Sequence, residues 1–238
     1  MMRILIACEE SQAVTIELRK LGHEAFSCDT EPCSGGHPEW HIKGDVLKVI
    51  NGYGNRLDLE SGGCLFYSVE DWDMMIAHPP CTRLTNAGRR WMHNPPKGKT
   101  MVKMWSDFFA GVEFYRAIRS ANIPKIAIEN PIMHDHAREL LGKEPRNIVQ
   151  PWWFGDKAFK ATGFELINLP GLISNPPGDL PGSRLVPPKS GTDEHKEWSK
   201  VHRMSPGPER TKLRSKTYPG TAKAMAEQWA GDNTTSQT

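Results

Sequence analysis

The strongest constraint on this chain is that its first half alternates short apolar runs with helix-patterned stretches. That order favours parallel strands, because each return to the sheet must cross over through a helix. Residues 3–7 read as a first strand. Ser11 is placed to cap a helix with apolar positions at Val14, Leu18 and Leu21, and Gly22 suits its stop. Further strands are expected over residues 24–28, ending in Asp29, and over 42–46, carrying Gly44 and Asp45. A strand over 72–77 runs into His78-Pro79-Pro80-Cys81. A helix over 107–120 precedes a strand over 125–128 that ends in Glu129-Asn130-Pro131. Residues 147–150 and 164–169 read as two more strands. The expected fold is therefore α/β, a mostly parallel twisted sheet with helices on both faces.

The second half is less regular. Prolines and glycines crowd residues 170–208, which predicts an extended loop rather than a second core. Pro219 and Gly220 open a last helix containing Ala222, Met225, Ala226 and Trp229, and residues 234–238 are expected to fray.

Composition narrows the function classes. No apolar run approaches the roughly 18 residues of a membrane span, and Glu9 and Glu10 interrupt the N-terminal one, so a soluble, cytoplasmic protein is expected. Five cysteines at irregular spacing read as free thiols. Cys28, Cys33, His37 and His41 have a loosely zinc-like spacing that matches no common finger, and no metal is expected. The net charge of +2 gives no global basic field, so local clusters matter more. Arg83, Arg89, Arg90, Lys97, Lys99 and Lys103 lie close together with Trp91 and Trp105 among them. That is either a solvated surface or a loop that closes over a nucleic acid and touches its phosphates.

In open parallel sheets ligands sit at the carboxyl ends of the strands. Those ends carry Ala7-Cys8-Glu9, Asp29, Asp45, Pro80-Cys81 and Glu129-Asn130. Asp29 and Asp45 are placed to accept hydrogen bonds from a ribose and an adenine amine, or simply to cap the turns that follow. Cys81 leaves its strand behind two stiff prolines and is a candidate nucleophile if its thiol ionises readily; otherwise it is an inert buried cysteine. His78 reads as a structural hydrogen-bonding residue ahead of a catalyst. A thiol and a carboxyl together meet the needs of pyrimidine carbon-5 chemistry. The thiolate adds to carbon 6 and makes carbon 5 nucleophilic, while the carboxyl binds ring nitrogen 3 and the exocyclic amine.

With Pro80-Cys81 and Glu129-Asn130 after successive long strands, the chain resembles the carbon-5 cytosine methyltransferases, above all the small forms carried by bacteriophages and prophages. The run Gln150-Pro151-Trp152-Trp153-Phe154-Gly155 and the segment from Arg214 to Ala222 share that resemblance. It implies a Rossmann-like S-adenosylmethionine-dependent domain over residues 1–169, a reduced target-recognition segment over 170–216 and a helix over 217–231 that packs back. It implies catalytic roles for Pro80, Cys81, Glu129 and Asn130, with Glu129 a partly buried carboxyl of raised pKa. Ala7, Glu9, Asp29, Asp45 and Pro79 would line the S-adenosylmethionine site. Arg83, Arg89, Arg90, Lys97, Lys99 and Lys160 would contact DNA in a bacterial host cell. The reduced segment implies relaxed specificity, with contexts of about one to three bases. The family's first motif is glycine-rich, whereas residues 7–12 here hold no glycine, and Thr82 stands where glutamine usually follows the cysteine. Three rivals remain: an RNA cytosine methyltransferase, a pyrimidine-modifying enzyme with another one-carbon donor, and a non-catalytic nucleic-acid binder.

Overall fold

The computed structural model describes residues 1–52, 54–129, 132–142, 147–174, 185–205 and 207–231. In chain order the elements are β1 (Arg3–Ala7), α1 (Ala13–Lys20), β2 (Glu24–Asp29), β3 (His41–Lys43), α2 (Val46–Ile50), β4 (Asn55–Asp58), β5 (Cys64–Tyr67), β6 (Met74–Ala77), α3 (Asn86–His93) and α4 (Met101–Arg119). Then follow β7 (Lys125–Glu129), α5 (Asp135–Leu141), β8 (Asn147–Val149), β9 (Thr162–Ile167), α6 (Asp193–Trp198), α7 (Lys200–Arg203), α8 (Pro208–Ser215) and α9 (Pro219–Ala230).

Seven strands form one sheet in the order β3-β2-β1-β6-β7-β9-β8. The pairs β1–β2, β2–β3, β1–β6 and β6–β7 are parallel, and β9 runs antiparallel between β7 and β8. The period-two rule sorts the core into two layers. Ile4, Ile6, Met74 and Ile76 face α1 and α9, packing with Val14, Leu18, Met225 and Trp229. Leu5, Ala7, Met75 and Ala77 face the opposite way, packing with Val46, Val49, Phe108, Val112 and Tyr115 of α2 and α4. The sheet is thus mixed, mostly parallel, and covered by helices on both faces.

Several expectations need correction. Ser11 does not cap α1: Gln12 is the N-cap, without a side-chain bond, and the Glu9 carboxylate takes the helix's first N–H groups. β3 stops at Lys43, so Gly44 and Asp45 lie beyond it, and Asp45 caps α2 by accepting from Leu47 N. The segment expected as a loop after Cys81 is helical over Asn86–His93: Gly88 and Met92, four residues apart, are buried with Leu84 just ahead of them, while Arg89, Arg90 and His93 stay outside. Glycine and the dense basic residues hid that stripe. α4 begins at Met101, where Thr100 accepts from Lys103 N. The 170–208 stretch is not only loop, since it holds α6 and α7 and buries Trp198 against Phe159. The antiparallel β4–β5 hairpin was not expected at all. Asn130 and the terminal stretch expected to fray lie outside the described residues.

α9 locks one face through Trp229. Its ring is 5% exposed, meets Phe164 edge-on at 5.5 Å, and its Nε1 donates to Pro170 O at 2.9 Å. Trp229→Ala should cost about 3–5 kcal/mol, a typical loss for a buried aromatic. The 80%-exposed Val102, changed to Ala, should stay within about 0.5 kcal/mol. Urea denaturation of the two variants checks both values.

Candidate active site

The strand order reverses beside β1. The chain steps outward from β1 to β3, then returns to the other side of β1 as β6. A crevice opens where such a sheet turns, at the carboxyl ends of the two central strands. Here those ends carry Cys8-Glu9 and His78-Pro79-Pro80-Cys81, joined by His78 N donating to Ala7 O at 2.9 Å.

On the β1 side, Cys8 and Gln12 take the left-handed conformation usually left to glycine, with φ of 59° and 57°. The turn is made without glycine, and side chains hold it. Cys8 N and Glu9 N both donate to Cys28 O. The Gln12 amide donates to His37 O at 2.8 Å and accepts from His37 N at 3.1 Å. Glu9 is 3% exposed and accepts from Val14 N at 2.7 Å and Thr15 Oγ1 at 2.7 Å. A carboxylate therefore already occupies the helix N-terminus where Rossmann domains hold a pyrophosphate.

Asp29 and Asp45 stand at the next two strand ends. Each spends one carboxylate oxygen on a turn, Asp29 accepting from Glu31 N at 3.0 Å and Asp45 from Leu47 N at 2.9 Å. The second oxygen of each has no hydrogen-bond partner among the described residues. Both press on Cys8, whose thiol is pushed up to about 12 by burial and then by these two carboxylates. Cys8 is thus an unreactive thiol in an acidic setting.

On the other side, the ends of β6 and β7 and the segment before β9 bring four groups together. His78 Nδ1 lies 2.6 Å from Glu129 Oε2, and Lys160 Nζ lies 3.6 Å from Glu129 Oε1. Lys160, expected among the nucleic-acid contacts, is only 20% exposed and also donates to Lys216 O at 3.0 Å. Burial pushes the Glu129 carboxyl up, but Lys160 and His78 outweigh it and hold it down at about 2. The raised carboxyl expected at Glu129 is therefore overturned: two cations face it, so it is an anion. Burial pulls His78 down, yet its bond to Glu129 and the charges of Glu129 and Glu9 raise it above its ordinary value.

Cys81 feels the same charges. Burial and the Glu129 carboxylate push its thiol up, Lys160 and Arg214 pull it down, and the balance lies above the ordinary value. The ready ionisation that would mark a nucleophile is thus absent in the free protein. Cys81 is the thiol of the two with cationic neighbours.

The segment carrying Cys81 is tightly held. Leu84 N and Thr85 N donate to Cys81 O. A Cβ on Gly88 would fall 1.9 Å from the Thr82 carbonyl oxygen, so only glycine lets α3 approach this closely. His134, fully buried, ties Cys81's segment to the one after β7: its N donates to Leu84 O and its Nε2 lies 2.8 Å from Arg83 O. Sequence reasoning missed Gly88 and His134, because close backbone approach leaves no periodic signal. Pro79 is buried and Pro80 exposed.

The basic residues spread along α3, the α3–α4 turn and α4. Arg83 lies 3.7 Å from Asp107, and Arg89 2.9 Å from Asp135. Arg90 stacks over Trp91 at 4.2 Å, and Lys97 and Lys99 are exposed. Among the described residues no three of His, Cys, Asp or Glu gather as a metal site. His41 of the loosely zinc-like set is buried against Ser27 and Glu31 instead. No helix among the described residues is long and apolar enough to cross a membrane. Compared with known proteins, the chain matches no family model, and no curated protein matches it.

The charges around Cys81 make opposite predictions for two variants. Lys160→Met removes a cation and should slow iodoacetamide alkylation of Cys81 at pH 8, whereas Glu129→Gln removes an anion and should speed it, each by roughly threefold or more. Peptide mapping of the alkylated protein reads both rates; changes of the same sign would contradict this geometry.

The buried pair also sets a pH window for stability. Glu129 is depressed, so its contribution is present above its unfolded value near 4.5 and is lost as pH falls towards about 2. His78 is raised, so its contribution is complete below 6.5 and fades as pH rises through its folded value. The stability gap between wild type and Glu129→Gln should thus be widest between pH 4.5 and 6.5 and shrink on either side. Urea titrations across that range measure it.

Proposed function

We propose that this protein is an S-adenosylmethionine-dependent DNA methyltransferase of Rossmann-like fold that modifies carbon 5 of cytosine through a covalent bond to Cys81. The observation that carries the reading is the cluster at the ends of β6 and β7, where the Cys81 thiol, the Glu129 carboxylate and the Lys160 ammonium interact in one partly buried site. Thiol and carboxyl are the two groups that addition to a pyrimidine ring requires.

The β1 side supports the choice of cofactor. Glu9 fills the α1 N-terminus, and Asp29 and Asp45 add negative charge beside Cys8. That setting repels phosphates and suits a phosphate-free, cationic nucleoside. Asp29 and Asp45 would hold its hydroxyl and amine groups, with Ala7, Glu9 and Pro79 shaping the crevice between the sides. S-adenosylmethionine, when bound, supplies an electrophilic methyl group.

The chain's own residues do the rest. The Cys81 thiol gives its proton to solvent base and, as thiolate, adds to carbon 6 of the ring. Lys160 and Arg214 favour that ionisation. Glu129 accepts from the exocyclic amine and holds the ring in register. Once carbon 5 carries the methyl group, solvent base takes its remaining proton, and as that electron pair re-forms the ring double bond the carbon–sulfur bond breaks and the thiolate leaves. The target base has to leave its stack to reach Cys81. Arg83, Arg89, Arg90, Lys97 and Lys99 line the segment after Cys81 and would hold the flanking phosphates.

Duplex DNA incubated with the protein and S-adenosylmethionine should yield 5-methylcytosine by nucleoside mass spectrometry, with tRNA a poorer acceptor. DNA carrying 5-fluorocytosine should trap an adduct on Cys81, because fluorine cannot leave as the proton does. Cys81→Ser should lose both signals. An adduct mapped to another residue, or near-normal turnover by Cys81→Ser, would refute the assignment; a preference for tRNA would move the activity to RNA.

A further inference from the structure

The finding that Glu129 is an anion leaves the proposed chemistry without an obvious acid. When a thiolate adds to carbon 6, the ring loses aromaticity and nitrogen 3 becomes much more basic. It must gain a proton, and a carboxylate facing two cations has none to give. The proton has to come from a neighbour of Glu129. Among the described residues, the groups that touch its carboxylate are His78 at 2.6 Å and Lys160 at 3.6 Å.

Position and chemistry separate the two. The bond to His78 is the shorter, and an imidazolium holds its proton less tightly than an ammonium does, closer to working pH. His78 also comes from the strand end that leads to Cys81, so its backbone is fixed relative to the nucleophile. Its other ring nitrogen, Nε2, is buried and without a hydrogen-bond partner among the described residues. With Nε2 unpartnered, the ring's one hydrogen bond among the described residues runs through Nδ1 to Glu129, so any proton it passes on leaves by that route. The charged groups around His78 are Glu129 from β7, Glu9 from the β1–α1 turn and Lys160 from the segment before β9.

Resting on the methyltransferase reading, we propose that His78 is a positioning residue for Glu129 and the proton reservoir of the site. In the free protein the pair holds one proton, on the imidazole. As the Cys81 thiolate bonds to carbon 6, the Nδ1 proton of His78 passes to the Glu129 carboxylate, and the resulting acid O–H turns and donates to ring nitrogen 3. When the carbon–sulfur bond breaks, nitrogen 3 returns that proton through Glu129 to His78. This relay ends with its proton where it began, while the carbon-5 proton leaves to solvent base.

The test is His78→Asn, whose amide can still donate to Glu129 but cannot give up a proton. Single-turnover methylation of duplex DNA should slow by roughly 10²-fold or more, in the range typical of lost acid catalysis. The wild-type rate should also fall on the alkaline side as His78 loses its proton, and His78→Asn should lack that limb. Loss of rate with the limb intact would mean a purely structural role and would overturn the proposal, as would a wild-type rate. Imidazole ¹⁵N shifts follow His78 without any turnover. In the wild type the ring should titrate above the ordinary histidine range, and in Glu129→Gln it should titrate lower. A wild type that folds, shows this titration and yet transfers no methyl group would refute the methyltransferase reading itself, and the proposal with it; normal turnover by His78→Asn would refute only the proposal.

Discussion

The pairing of β1 with β6 is the contact on which the rest of the structure depends. From Ile4 to Ala7 and from Met74 to Ala77 every side chain is fully buried. The alternate residues of each strand supply the two core layers, one under α1 and α9, the other under α2 and α4. At on the order of 1.5–3 kcal/mol for each large apolar side chain buried, these two strands anchor both halves of the core. The same pairing aligns their carboxyl ends, so the packing that stabilises the sheet also sets Cys8-Glu9 beside His78-Pro79. Core and site cannot be altered independently there.

Across that edge Glu9, His78, Glu129 and Lys160 form a row of ionisable groups, in which burial raises the Glu9 carboxyl above its ordinary value. Burying charges is costly, and an apolar replacement of similar shape is often no less stable. Here Glu129 has a basic group on each side, and Glu9 receives backbone and hydroxyl bonds from α1. The row reaches from the strand end facing the proposed cofactor to the one facing the proposed base. Its charge can therefore change at one end only at a cost felt along its length, which is a reason for such a site to keep its protons on a shared ledger of residues.

Much of this was legible in the sequence, and the misses share a cause. Strands β1, β6 and β7 showed as apolar runs with polar residues at their ends, since both faces of a central strand are buried. Cys81 and Glu129 were visible because they follow those runs directly. α3 was hidden because its buried stripe contains Gly88 and its exposed face is crowded with arginine, so its composition resembled a loop. Ser11 looked like the cap of α1, but Glu9 reaches the same N–H groups from further back, which only the left-handed turn at Cys8 permits. Lys160 read as a DNA contact, whereas the fold brings it to within 3.6 Å of Glu129.

The sequence by itself determined the α/β class, the order of the central elements and the residues that stand at the strand ends, because these follow from local periodicity and short-range turn chemistry. Only the tertiary structure decided the ionisation of those residues. Glu129 is an anion because His78 comes from a neighbouring strand and Lys160 from a distant turn, and a pKa depends on distance through space. The antiparallel place of β9 between β7 and β8, and the approach of α3 that needs Gly88, were likewise settled by packing between segments far apart in the chain.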